Sequence, residues 1–178
     1  MLFSEPSSGG GLFNLVPLIV FFPIIGLLIN GFFGRKLGER WAGIVASGAA
    51  LAAFVIAALQ FVALRGQPEG AVVPFLDWIT IGALHVPWSF QVDTLSVTMM
   101  LVVTGVGSLI TLYATGYMHD DVRHNGDPGR YARFFVYFNL FLASMLVLVT
   151  GSSYLMLFVG WELVGLCSYL LIGFWGEK

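Results

Sequence analysis

One stretch, residues 153–175, constrains the fold more than any other part of the chain, because Glu162 is its single charged residue. At about 1.5 Å per helical residue the stretch reaches roughly 34 Å, enough to cross a hydrocarbon layer of about 30 Å. Glu162 lies near its middle. Because an ionised residue at that depth costs roughly 2.5 to 3.5 kcal/mol on insertion scales, we expect Glu162 to have a function.

Two physical states are open to the Glu162 carboxyl. Desolvation can hold it neutral, so that it gains or loses a proton when its surroundings change, or a cation from another helix can hold it charged. A helical wheel places these residues on the same face: Phe158, Gly165, Leu166, Tyr169 and Gly173. The glycines leave room for a neighbouring helix or water. Both states indicate ion handling, and a structural carboxyl hydrogen-bonded between helices is the simpler alternative.

The composition indicates a membrane protein with several spans. The 178 residues are 58% hydrophobic and 10% charged, and the mean hydropathy is +0.89. A soluble domain usually has about 25% charged residues. Residues 1–11 contain Glu5 but no Lys or Arg, so they lack the basic region of a cleavable signal peptide and are expected to form a flexible N-terminus.

The apolar runs predict an all-α polytopic membrane protein with one membrane domain, residues 12–178. Its five spans are predicted at residues 12–33, 41–64, 93–118, 131–150 and 153–175. A small surface β-hairpin is predicted at residues 76–92, between the second and third spans. From Leu84 to Val92 every other residue is apolar, which is the period of a half-buried strand. Gly82 and Ala83 offer a tight turn, and Pro87 restricts its strand to an edge position.

Polar residues within the spans suggest a second feature. Asp93 opens the third span as a predicted N-cap, with Ser96 three residues later. A polar path would consist of Asp93, Thr104, Ser108, Thr111, Asn139 and Tyr169. The alternative is close helix packing, with the hydroxyls bonded back to their own backbone. Asn139 most simply makes an interhelical hydrogen bond.

Several classes of site are not indicated. Cys167 is the one cysteine and has no partner for an internal disulfide. The His and Asp residues of the segment 119–130 match no standard metal spacing, so we expect a solvated loop there and no metal. No glycine fingerprint for a dinucleotide is present, and the scattered basic residues form no nucleic-acid patch. We therefore expect no cofactor in this chain and no direct NADH or quinone site.

Basic residues predict the orientation in the membrane. All but Arg65 lie at alternate connections, namely Arg35, Lys36, Arg40, Arg123, Arg130, Arg133 and Lys178. By the positive-inside rule the N-terminus and the hairpin lie outside and residue 178 lies in the cytoplasm. The predicted location is the bacterial inner membrane.

Four segments resemble a known family. They are FQVDTLS (90–96), TGVGSLITLYATGYM (104–118), RYARFFVYFNLFLASMLVLV (130–149) and GWELVGLCSYLLIGFW (160–175). Together they resemble the N-terminal portion of the large antiporter-like subunit of respiratory complex I, called subunit L in bacteria and subunit five in mitochondria. The resemblance covers nearly the whole chain apart from the first dozen residues and the segment 65–75.

This resemblance implies a proton-translocating membrane subunit of NADH:quinone oxidoreductase. In the family the glutamate matching Glu162 pairs with a lysine on a later, discontinuous helix and helps to drive or gate proton movement. Family members have many more spans, so a fragment or a truncated gene product is expected. The implied partners are other membrane-arm subunits, especially a neighbouring antiporter-like subunit, together with the lipid bilayer. A subunit of a multisubunit cation/proton antiporter or of a membrane-bound hydrogenase is the alternative.

Overall fold

A computed structural model describes residues 10–82, 84–125 and 127–175. The described part contains five long helices and one two-stranded sheet. In chain order the elements are α1 (Pro17–Leu37), α2 (Glu39–Gly66), β1 (Ala71–Ile81), β2 (Leu84–Val92), α3 (Thr94–Asn125), α4 (Pro128–Thr150) and α5 (Tyr154–Ile172). The 3-10 segments Gly11–Leu15 and Gly173–Trp175 flank α1 and α5. The predicted fold, five helices with a hairpin between the second and third, is confirmed; Ala83, Lys178 and residues 1–9 lie outside the described part.

All five helices are long and apolar enough to cross a membrane. The α4 helix is central, because it packs against each of the other four. In contrast, α5 packs mainly on α4. Of the most apolar 18 residues in each helix, 17% are buried in α5, compared with 50% in α4. One side of α5 therefore remains uncovered by the described residues.

Small residues bring the helices close together. A Cβ on Gly34 of α1 would lie 2.6 Å from the Cβ of Ala132 on α4. A Cβ on Gly160 of α5 would lie 2.7 Å from both the Cα and the backbone N of Leu148 on α4. Such contacts are typical of membrane helices, which associate through close backbone approach rather than through a hydrophobic driving force.

The hairpin is anchored at its base. Its strands are antiparallel, and the residues nearest the helices, including Ala71, Val73 and Phe90, belong to the main apolar core. Toward the tip the side chains become exposed, as at Ile81. The base is also joined to the turn between α4 and α5, because Ser152 N–H donates to the Ser89 carbonyl at 3.3 Å and Phe90 bridges Gly151.

The prediction of a solvated loop over residues 119–130 is wrong. The α3 helix continues to Asn125, and α4 begins at Pro128. Asp127 caps α4 by accepting from Gly129 N–H at 2.9 Å, and a proline suits the first turn. The polar side chains are accommodated because they lie on helix ends beyond the apolar spans, where His119 Nδ1 lies 2.7 Å from Glu39 Oε2.

Candidate functional site

Glu162 lies close to the middle of α5 and is exposed. Its helix is positioned at the start by Ser153, whose hydroxyl accepts from Met156 N–H at 3.3 Å. The opposite side of α5 is buried at Met156, Gly160 and Cys167 and packs on α4. The glutamate therefore lies on the side of α5 that faces away from the bundle.

The rest of this outer face of α5 is also exposed. It comprises Phe158, Trp161, Gly165, Leu166, Tyr169 and Ile172. Tyr169 is 76% exposed, and a Cβ added to Gly165 would meet no atom within 4 Å. In the part of the chain that the structure describes, Glu162 has no hydrogen-bond or ion-pair partner. The predicted pairing of Glu162 with a cation stays a prediction.

The hydroxyl stripe on α3 is satisfied by its own helix. Thr104 and Ser108 donate to the carbonyls of Met100 and Thr104, each at 2.6 Å. Thr111 donates to the Gly107 carbonyl at 2.7 Å. These are the back-bonded hydroxyls of the packing alternative. The close contact of α3 with α4 agrees, since a Cβ on Gly107 would lie 2.5 Å from Leu142 Cδ2.

Among the described residues, Asn139 does not make the predicted interhelical hydrogen bond. It is fully buried in α4, and neither amide atom has a hydrogen-bond partner among the described residues. A Cβ on Gly26 of α1 would lie 2.6 Å from Asn139 Nδ2 and 2.8 Å from Ala49 Cβ on α2. The amide thus packs against the glycine gap in α1, which Ala49 of α2 also borders, and the backbone groups of an α-helix are already used within that helix.

Asp93 is the predicted N-cap of α3, and this is confirmed. Its Oδ1 accepts from Ser96 N–H at 2.7 Å, and its own N–H donates to Ser96 Oγ at 2.8 Å. Its Oδ2 accepts from Gln91 Nε2 at 2.7 Å. Burial acts to raise the pKa of Asp93, but the hydrogen bonds from Ser96 and Gln91 outweigh burial, so the pKa lies below its ordinary value.

Within the described residues the predicted polar path is not one continuous cluster. Thr104, Ser108 and Thr111 share a face of α3, with Asp93 at the start of that helix. Asn139 lies against Gly26 of α1, whereas Tyr169 lies with Glu162 on the outer face of α5. That outer face points away from α4, the helix that contains Asn139.

Three polar residues with a buried, unpaired side-chain atom among the described residues were missed at the level of sequence. Asn30 and Gln60 donate to the carbonyls of Ala42 and Leu12 at 3.1 and 3.0 Å, but their amide oxygens have no described partner. The same holds for the hydroxyl of Ser47. Their only sequence signal is an isolated polar residue inside an apolar span. The described residues also contain no group of three or more His, Cys, Asp or Glu side chains able to hold a metal ion.

Residues 78–135 match the family model for the N-terminus of chain 5 of NADH-ubiquinone oxidoreductase, complex I. NADH-quinone oxidoreductase subunit L of Mycobacterium tuberculosis is 45% identical over 164 residues, which are 90% of this chain and 25% of that protein. NADH-ubiquinone oxidoreductase chain 5 of Cryphonectria parasitica is 40% identical over 157 residues, 88% of this chain and 23% of that protein.

The chain resembles the N-terminal portion of complex I subunit L. The resemblance found in the sequence is confirmed, and the chain spans about a quarter of the length of these relatives.

Two solved structures share the fold. A chain of the Mrp complex from Dietzia sp. matches with a TM-score of 0.60 and 25% identity, over 90% of this chain and 16% of that one. A chain of the membrane-bound sulfane sulfur reductase, an archaeal respiratory membrane complex, matches with a TM-score of 0.64 and 15% identity, over 88% of this chain and 29% of that one. The latter likeness concerns the fold alone.

Proposed function

We propose that this chain is part of a proton-translocating membrane subunit of an NADH:quinone oxidoreductase, in which Glu162 takes part in proton movement. The observation that carries the proposal is the position of Glu162, close to the middle of α5 on a face that the described residues leave uncovered. A carboxyl at membrane depth is rarely placed there without a function. The choice of complex follows from the names of the relatives, which are subunits of NADH-quinone and NADH-ubiquinone oxidoreductases.

A cation or a polar path must meet Glu162 for the proposal to hold. We assign this partner to residues beyond the described part of the chain, in the same subunit or in a neighbouring membrane subunit. The outer face of α5 is suited to a close partner, because Gly165 leaves open space beside Glu162. Glu162 would then change its protonation or its pairing as a distant redox reaction proceeds.

The orientation belongs to the same proposal. The ends of α1 and α3 and the start of α4 carry most of the basic residues, and we place this basic end of the bundle on the cytoplasmic side. The hairpin and the start of α5 then lie on the opposite side.

A cation/proton antiporter subunit is the second candidate. The specific observation in its favour is the structural match to a chain of the Mrp complex. A secondary antiporter would use the gradient of one ion to move another, without a redox reaction in the same assembly.

The decisive experiment replaces Glu162 with Gln in the intact membrane complex. We expect assembly to be unchanged and redox-driven proton movement per electron pair to fall. Glu69→Gln is the matched control, because Glu69 is exposed in the connection between α2 and β1. Loss of a sodium-linked flux alone would favour the antiporter, and intact transport with impaired assembly would indicate a structural carboxyl.

A further inference from the structure

Two buried side-chain amides in the bundle have atoms without a hydrogen-bond partner among the described residues. Asn30 on α1 is 2% exposed and Asn139 on α4 is fully buried. Asn30 Nδ2 donates to the Ala42 carbonyl, but Asn30 Oδ1 and both amide atoms of Asn139 have no partner among the described residues. Buried polar atoms in native proteins are nearly always paired with protein or with ordered water. These three atoms therefore indicate sites for water.

The two amides lie about one helical turn apart along α1. Asn139 lies against Gly26 of α1, and Asn30 follows Gly26 by four residues, which is about one helical turn or 6 Å. A water molecule with hydrogen bonds of about 2.8 to 3.0 Å on each side spans such a separation. Small residues, Gly26 of α1 and Ala49 of α2, border the gap that the Asn139 amide enters.

A cleft connects Asn30 with the basic end of the bundle. It has a volume of about 350 Å³ and lies between the end of α1 and the start of α4. The buried Asn30 lines it, together with Arg35, Asp127 and Arg133. A water molecule occupies about 30 Å³ in the liquid, so the cleft can hold several.

Two glycines keep the cleft open. Gly31 lines the α1 wall, and Gly129 lines the α4 wall. A Cβ on Gly129 would lie 3.0 Å from Arg35 Nε and 3.1 Å from Asp127 Oδ1, so a larger residue would displace both charged groups. A charged mouth that leads to an unpaired buried acceptor is suited to water rather than to lipid chains.

We propose that this cleft is a water inlet, through which water reaches Asn30 Oδ1 and continues as one buried water molecule to Asn139. The inlet is separate from Glu162, which lies on the outer face of α5, and does not depend on the proposed function.

Thiol labelling in the intact membrane complex tests the outer part of the inlet. Asn30→Cys and Gly31→Cys are placed in a Cys167→Ser background and treated with a permanently charged methanethiosulfonate, which reacts only in water. A cysteine fits at position 31, since a Cβ there would lie 3.9 Å from Val136 Cγ2. Leu28→Cys is the control, because Leu28 is 45% exposed on α1 but does not line the cleft.

We expect both cleft cysteines to react at least tenfold faster than the control. Equal rates at positions 28 and 31, or no reaction at 31, would overturn the inlet. Gly31→Cys keeps the test decisive if Asn30→Cys fails to assemble.

Coupling between the two amides tests the inner water. Asn139→Leu is made alone and in an Asn30→Leu background, and the Tm of the complex is measured. A bridging water predicts that Asn139→Leu lowers the Tm more in the parent than in the Asn30→Leu background. Any steric cost of leucine is common to both backgrounds, so equal shifts would show that no water joins the amides.

Discussion

Asp93 and Ser96 cap the start of α3 reciprocally: Ser96 N–H donates to Asp93 Oδ1 at 2.7 Å, and Asp93 N–H donates to Ser96 Oγ at 2.8 Å. The pair joins the end of β2 to a span of the bundle, so it fixes where the hairpin ends and the helix begins. Loss of an N-cap interaction usually costs about 0.5 to 2 kcal/mol.

Ser96→Ala should lower the stability of the complex, because it removes the hydroxyl that accepts from Asp93 N–H. We expect a loss of about 1 kcal/mol, measured as the free energy of unfolding in detergent. Thr98→Ala is the control, since Thr98 is exposed and donates only to the Thr94 carbonyl in its own helix. A loss as large in the control would contradict the cap as the cause.

The lowered pKa of Asp93 predicts how stability depends on pH. Because the pKa is lower in the folded chain than its unfolded value of about 3.9, the carboxylate stabilises the fold above that value. This contribution is lost as the pH falls through the folded pKa. Asp93→Asn should therefore be less stable at pH 7 and should lose less stability on acidification. An acid profile that matches the parent, with exposed Asp120→Asn as a control, would oppose this assignment.

Gly160→Ala should push α5 away from α4, since the new Cβ would lie 2.7 Å from the backbone of Leu148. We expect a destabilisation of about 1 to 3 kcal/mol, the usual range for overpacking. Gly116→Ala is the matched control, because a Cβ there meets no atom within 4 Å. Thermal unfolding of the two variants checks this. An unchanged Tm for Gly160→Ala would show that α4 and α5 shift to accommodate the methyl group without loss of stability.

Gly165→Leu tests whether another helix covers the outer face of α5. The residue is exposed and has open space around it, so this chain alone should accept leucine. A close partner helix would be displaced, and assembly or redox-driven proton movement should then fall. Gly116→Leu on α3 provides the comparison, and equal behaviour of the two variants would argue for lipid at both positions.

The spans and the hairpin could be predicted because apolar length and a period of two are local properties of the sequence. The end of α3 could not, since polar residues from His119 onward are compatible with either a loop or a helix that emerges from the membrane. Its contacts with distant Glu39 are visible only in three dimensions.

The polar residues show the same limit. The sequence indicates that Glu162 is deep in a span and that Asn139 is buried. It does not show that the gap at Gly26 receives the Asn139 amide without a hydrogen bond, because that depends on how α1 and α4 cross. The sequence also gives no reason to single out Asn30, because its importance depends on the cleft that it lines.

The α5 helix is held at both ends. Its first turn follows a segment tied to the hairpin through Ser152 and Gly151, and just beyond its last turn Trp175 Nε1 donates to Asp121 Oδ1 at 3.0 Å. The Gly160 contact with Leu148 fixes the helix between these points. A helix held in this way resists rigid-body tilting or sliding. A change of charge at Glu162 therefore moves its own side chain and the groups that face it, rather than the helix.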